Sequence, residues 1–319
     1  MKLYGKWLLL LLCALLLTGC GDGQPQPNAT QTPEAHLTIA VQPDESMAEE
    51  RSATLYFRYQ DTEFLKQEVC TLSILPNETR ELALVNALLA GSDEGGEALF
   101  SPGVVVLSTQ VQDGVVFVTF NEAIYGRYED ENNQTDLAEA MLRRELAMDA
   151  LVATLTEDGR YHAVQVLVRA QSHVGSSMRL KNSYFLRGDE LPCELLTRSE
   201  AHLMTPANVA KHLLEAWQQR RFDALYPLLS SQEDAKLLPS QALFSQNFVQ
   251  SDALIAFAIT PGSLSADGQS ALLCVDMTLL RSDGGEYAVK SWPLRLKREA
   301  GAWKVSLSAL KALMQRNEE

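Results

Sequence analysis

Val111-Gln112-Asp113-Gly114-Val115-Val116-Phe117-Val118 reads as a β-hairpin in a single line of sequence. Asp-Gly is a preferred pair for a two-residue type I′ turn, whose central residues both need positive φ. The flanking runs, Val104 to Gln112 and Val115 to Phe120, are rich in β-branched and aromatic residues, as strands are. So short a turn also fixes the register. Val111 then faces Val116, Thr109 faces Val118 and Leu107 faces Phe120, and those six predict one apolar face. Ser108, Gln110 and Gln112 share the other face with Thr119, Phe117 and Val115.

Upstream, Leu55, Phe57 and Tyr59 alternate with Thr54, Tyr56 and Arg58, the period of a half-buried strand. Cys70, Leu72 and Ile74 mark a second. Pro76-Asn77-Glu78-Thr79 turns the chain and supplies an N-cap at Asn77 or Thr79. The helix that follows carries Leu82, Val85, Leu88 and Leu89 on one face, with Gly91 as its C′ glycine. Downstream of the hairpin, Asp136 to Leu155 reads as a long amphipathic helix. Leu137, Met141, Met148, Leu151, Val152 and Leu155 recur at helical spacing, and Leu142 and Leu146 widen the stripe. Asp158-Gly159 then leads into a strand with Val164, Val166 and Val168 on one side. The order β-β-α-β-β-α-β predicts an α+β fold with the helices on one face of a small mixed sheet.

At these residues the chain resembles the GerMN domain of sporulation and spore-germination lipoproteins. The matching features are the Leu55–Tyr59 strand, the Arg80–Gly91 helix ending in Leu-Leu-Ala-Gly, and Phe100-Ser101-Pro102-Gly103. The Val111–Val118 hairpin and Leu151-Val152-Ala153-Thr154-Leu155-Thr156 complete the set. The resemblance covers roughly residues 52–171, and one such domain is present. It implies a protein that helps assemble or stabilise an envelope complex in an endospore-forming bacterium.

Residues 172–204 read as an irregular connector packed partly on the first domain, with Ser183-Tyr184-Phe185-Leu186 as a possible short strand. Thr205-Pro206 restarts a helix with a capping Thr and Pro at N1. Val209, Leu213, Leu214 and Trp217 form its stripe. Two shorter helices are expected at Phe222–Leu229 and Ala242–Val249. Strands at Leu254–Ile259, Ala271–Leu280, Tyr287–Lys297 and Ala302–Leu307 follow, separated by Asp267-Gly268, Asp283-Gly284-Gly285 and Ala300-Gly301, so an antiparallel meander is expected. Pro293 implies an edge position or a bulge. Leu307 to Arg316 reads as a final helix. Helices followed by a curved sheet resemble the NTF2-like cone fold, on element order and the Trp217…Phe222-Asp223-Ala224-Leu225 pattern.

The start of the chain is a different kind of signal. Lys2 and Lys6, an apolar run from Trp7 to Leu16 and then Leu17-Thr18-Gly19-Cys20 have the order of a secretory leader. The run is shorter than the roughly 20 residues a spanning helix needs. Leu-Thr-Gly-Cys resembles the lipobox of bacterial lipoproteins, which implies cleavage before Cys20 and acylation of its thiol, as by palmitate. Gly21 to Ser52, with Pro25, Pro27, Pro33 and Pro43, reads as a tether. The segments are therefore a signal peptide at 1–19, lipidated Cys20 and tether at 20–52, a GerMN-like domain at 53–171, a connector at 172–204 and an NTF2-like domain at 205–319.

The charge is −14, from 27 Lys and Arg against 41 Asp and Glu. That sign argues against nucleic acid and against adhesion to an anionic lipid surface, so the acyl anchor at Cys20 would do the holding, on the extracytoplasmic face. Cys70, Cys193 and Cys274 show neither CxxC nor zinc spacing. Cys70 and Cys274 read as small buried hydrophobes.

No catalytic constellation stands out: GxSxG, HExxH, a phosphate loop and GxGxxG are all missing, and Ser177 has Leu180 where an SxxK pair needs lysine. His36, His162, His173, His202 and His212 read as solvated or hydrogen-bonded. Asp93-Glu94 and Glu129-Asp130-Glu131 read as solvated loops rather than Ca²⁺ ligands. The expected protein is not an enzyme, binds no metal or cofactor, and acts by contacts with envelope or sporulation-complex proteins. The alternatives are a cone that binds a small ligand or acts as an isomerase, and a modulator of a membrane sensor kinase. The cone reading would use Asp276 as a buried carboxylate, unless alternation turns it to solvent, with Trp217, Phe248, Cys274 or Trp292 lining the pocket.

Overall fold

The computed structural model of the protein describes residues 48–92, 99–128, 131, 137–169, 176–232 and 238–314. The expectations for Cys20, the tether up to residue 47, His36, Asp93, Glu94, Glu129, Asp130 and His173 lie outside the described residues. The α+β class stands.

Strands β1 (Glu49–Arg58) and β2 (Leu65–Ile74) pair antiparallel from Glu49–Ile74 to Arg58–Leu65. Helix α1 (Arg80–Ala90) is capped by Thr79, whose hydroxyl accepts from Leu82 N at 3.2 Å, and ends at Gly91 with φ +92°. Strands β3 (Val106–Gln112) and β4 (Val115–Asn121) form the hairpin, and Asp113 and Gly114 take the φ values of +51° and +74° that its turn requires. Helix α2 (Leu137–Thr156) then crosses over so that β5 (Ala163–Arg169) lies parallel to β4. Two short strands, β6 (Met178–Arg179) and β7 (Leu196–Thr197), both pair antiparallel with β5. The mixed sheet runs β3-β4-β5-β6.

Three expectations need correction here. β1 and β2 do not join the mixed sheet but form one of their own. Helix α2 is covered by β1 and β5, with α1 beside it, and between Leu146 and Thr156 every residue except Asp149 is buried. Second, the hairpin register holds for Val111–Val116 and Thr109–Val118, but a bulge between Val106 and Ser108 puts Val106, not Leu107, opposite Phe120. Asn121 fixes that bulge: its side chain accepts from Val105 N at 3.0 Å and donates to Gly103 O at 2.9 Å. Leu107 is left exposed, as is Val111 on the outer strand. Third, Asn182–Phe185 is a 3-10 turn rather than a strand.

In the second half, Thr205 caps α3 (Pro206–Gln218), accepting from Asn208 N at 3.2 Å. A 3-10 segment, Phe222–Leu228, and α4 (Gln241–Phe248) follow. Strands β8 (Ala253–Leu264), β9 (Ser270–Leu280), β10 (Glu286–Glu299) and β11 (Ala302–Lys304) make the expected meander, and α5 (Leu307–Met314) closes the described chain. Pro293 satisfies both of its readings. It follows a bulge between Val289 and Trp292, and β11 reaches β10 only from Lys297 to Glu299.

Each half has its own apolar core. The first takes in Leu180, Tyr184, Cys193 and Leu203, so residues after β5 complete it. The second is built on Trp217, Phe244 and Phe248, all fully buried, with Trp217 Nε1 donating to Asp252 O at 3.0 Å. Burial of each such side chain stabilises the fold by about 1.5–3 kcal/mol.

Candidate interaction surfaces

The turn between β1 and β2 does more than reverse the chain. Tyr59 N donates to Phe64 O at 2.8 Å, and the buried Arg58 guanidinium donates to Thr62 O at 2.8 Å while pairing with Glu139 on α2. That closed tip carries Phe64 out of the first half and into the core of the second, where it is 1% exposed. The backbone on either side of residue 65 is clamped as well: Leu65 N donates to His202 O at 2.7 Å, and Met204 N donates to Leu65 O at 3.0 Å.

Charged groups surround this plug. His212 on α3 brings Nδ1 to 2.7 Å from Glu63 Oε1, and that hydrogen bond holds the Glu63 carboxyl below its ordinary range. His202 brings Nδ1 to 2.6 Å from Asp149 Oδ2, and the bond raises its imidazole above the usual histidine value. On the far side, Lys304 stacks over the Tyr59 ring, 4.6 Å from its centroid, and donates to Tyr59 Oη and Pro227 O. Burial lowers Lys304 to about 8 and pushes Tyr59 up to about 12. Arg298 Nη2 donates to Gln67 Oε1 at 3.1 Å. The two halves thus present their surfaces from one tied body. Sequence reading had no means of finding this contact, since Glu63 and His212 carry no shared motif.

The positions singled out for ligand chemistry are dispersed. Asp276 faces away from the core, the reverse of the buried carboxylate. It accepts from Ser291 N at 2.7 Å and pairs with Lys290 at 3.3 Å, and the Ser291 N–H lowers its pKa. Strand alternation explains this: Val275 and Met277 point inward, so Cys274 and Asp276 point outward, and Cys274 is only half-buried. Trp217 and Phe248 are fully buried core residues, and Trp292 packs at the core's margin. Cys70 too is half-buried, while Cys193 is buried. Glu131 receives two hydrogen bonds from the buried Arg144, at 2.8 and 3.0 Å. Among the described residues no cluster of His, Cys, Asp and Glu is arranged to hold a metal ion, and no helix is long and apolar enough to cross a membrane.

Among the described strands that pair on one side only, β3 and β8 are the longer edges of their sheets. β3 pairs only with β4 and presents Leu107 and Val111 at its surface. β8 pairs only with β9, but two register shifts and Pro261-Gly262 break its line, which blunts it as a template.

A two-stranded sheet and a mixed sheet enclosing a buried helix, followed by helices on a meander, make this a two-part α+β module with open strand edges. Residues 54–171 match the model of the Germane family, described as sporulation and spore germination. Among solved structures, the tandem GerMN domains of the sporulation protein GerM from Bacillus subtilis are 19% identical, with a TM-score of 0.30. That match covers 50% of this chain and 48% of the other, so the chain spans about half of that structure's length. RPA3114, a protein from Rhodopseudomonas palustris containing a SEC-C motif, is 14% identical with a TM-score of 0.28, covering 32% of this chain and 76% of its own. No curated protein matches the chain.

Proposed function

We propose that the chain is a lipoprotein held by an acylated Cys20 on the extracytoplasmic face of the membrane, acting without catalysis by protein–protein contacts in sporulation, germination or envelope assembly. The observation that carries this reading is the Germane match over residues 54–171, on a domain whose mixed sheet ends in the open β3 edge. An exposed strand edge offers backbone donors and acceptors to an incoming strand, and Leu107 and Val111 offer apolar contact beside it. The leader sequence and the net charge of −14 support the anchor, since such a surface is not drawn to anionic headgroups.

The test is co-purification from membranes of sporulating cells, comparing the native chain with Cys20→Ala. The native chain should fractionate with membranes and retain an envelope partner through washing, and Cys20→Ala should lose the membrane. A native protein free in the medium, with no partner enriched over a control lipoprotein, would overturn the reading.

A further inference from the structure

Beside the junction, the segment that follows the 3-10 turn at Asn182–Phe185 lies against the middle of α2, at Glu145, Met148 and Asp149, and leaves an open groove of about 560 Å³. Met148, Phe185 and Leu196 supply its apolar lining. Two further leucines project at it without being covered: Leu191 is 66% exposed and Leu195 48%. Exposed large apolar side chains are unremarkable one at a time, but two on a concave apolar surface mark a contact site.

The charges around the groove narrow the choice of occupant. Its two cations are already matched, Arg187 with Glu145 at 2.5 Å and His202 with Asp149 at 2.6 Å. Arg187 also lies over the Phe185 ring, 5.5 Å from its centroid. The acidic side is in surplus. Asp189 and Glu194 flank the two leucines in sequence, and among the described residues neither has a basic side chain in ion-pair contact. A bound anion would meet that surplus, and an anionic lipid surface would meet it together with the net charge of −14. A small cation alone would leave Leu191 and Leu195 in water. The chemistry that satisfies both is an amphipathic one.

We propose that this groove docks a cationic amphipathic segment of a partner protein, whose apolar side chains cover Leu191 and Leu195 while its Lys or Arg residues meet Asp189 and Glu194. Apolar burial supplies the affinity, and the carboxylates set the orientation and reject acidic segments. The inference rests on the reading of the chain as a binding module, and it names one surface that such a module would use.

The test uses the intact protein captured through its C-terminus on a sensor surface. The probe is a synthetic 18-residue peptide of Leu and Lys with the leucines at helical spacing, beside a partner peptide with Glu in place of Lys. The Leu/Lys peptide should bind and the Leu/Glu peptide should not. Leu191→Glu should weaken binding about tenfold. Glu194→Lys, at an exposed position, should weaken it about fivefold at low salt and less at high salt. Glu286→Lys changes the net charge equally in the distant β9–β10 hairpin and should leave binding unchanged. Equal losses for Glu194→Lys and Glu286→Lys would mean general attraction to an acidic protein and would overturn the assignment. So would full binding by Leu191→Glu, or equal binding of the Leu/Glu peptide. Because no cell extract enters, failure here together with partner retention in membranes would reject the groove alone and leave the wider reading standing.

Discussion

The ring of Phe64 meets the imidazole of His212 edge-on, with 5.2 Å between centroids, although one belongs to the β1–β2 turn and the other to α3. This contact seats the tip of the first half within the core of the second. The hydrogen bond from His212 to the neighbouring Glu63 keeps the imidazole in place. Removing the Phe64 ring therefore opens a cavity at the point where the halves are joined. Phe64→Ala should cost about 3–5 kcal/mol in urea unfolding. A loss below about 1 kcal/mol would show that the tip is not seated as described.

His202 should give the fold a pH dependence that sets in near neutrality as pH rises. Its hydrogen bond to Asp149 raises the folded-state value above the ordinary 6.5, and the nearby carboxylates of Glu145 and Glu63 act in the same direction. A raised value means stability that is fully present below the unfolded value and lost as pH rises through the folded one. Wild-type stability should fall, relative to His202→Gln, as pH rises from the unfolded value of about 6.5 through the raised folded one. Parallel curves for the two proteins would refute the pairing.

Lys304 works in the opposite sense. Burial lowers it from 10.5 to about 8, so above about 8 the unfolded chain binds more protons than the folded one. Stability should therefore rise with pH from about 8 towards 10, where tyrosines begin to titrate. Lys304→Met keeps the apolar stem and removes the charge, and should flatten that rise. The readout is the difference between wild-type and variant unfolding midpoints at pH 8 and 9.5.

Gly262 occupies the second register shift of β8, where a Cβ would lie 1.8 Å from the carbonyl oxygen of Leu272. Backbone atoms cannot rotate away as a side chain can. Gly262→Ala should cost at the upper end of about 1–3 kcal/mol, the range for overpacking. Gly268→Ala serves as a comparison, since a Cβ there meets nothing within 4 Å and only its positive φ is strained. Equal losses at the two positions would show that the strands part easily at the bulge.

The hairpin was legible because Asp113-Gly114 and the alternation beyond it are local signals. They failed at Leu107 for a definable reason. Val104, Val105, Val106 and Leu107 are all apolar, so a one-residue slip leaves the pattern unchanged, and the side chain of Asn121 decides it. Periodicity also showed that β1 and β2 are strands without showing which sheet they join. That depended on α2, whose burial between Leu146 and Thr156 demands cover on both flanks.

The candidate sites divide along the same line. Asp276 had two readings, and alternation, the local one, is what the strand obeys. The Glu63–His212 and Asp149–His202 pairs could not be read because their partners lie 149 and 53 positions apart and no motif links them. Leu191 and Leu195 sit in a stretch with neither strand nor helix period, so only coordinates reveal that they border a groove.

The plug formed by Phe64 also has a bearing on how the chain is made. Synthesis runs from the N-terminus, and Phe64 emerges about 140 residues ahead of Met204, the next member of the core that receives it. Throughout that interval the nascent protein displays an aromatic hook with nowhere to lodge. Premature termination before the meander would leave the hook uncovered for good, and such fragments should be the ones that proteases clear first.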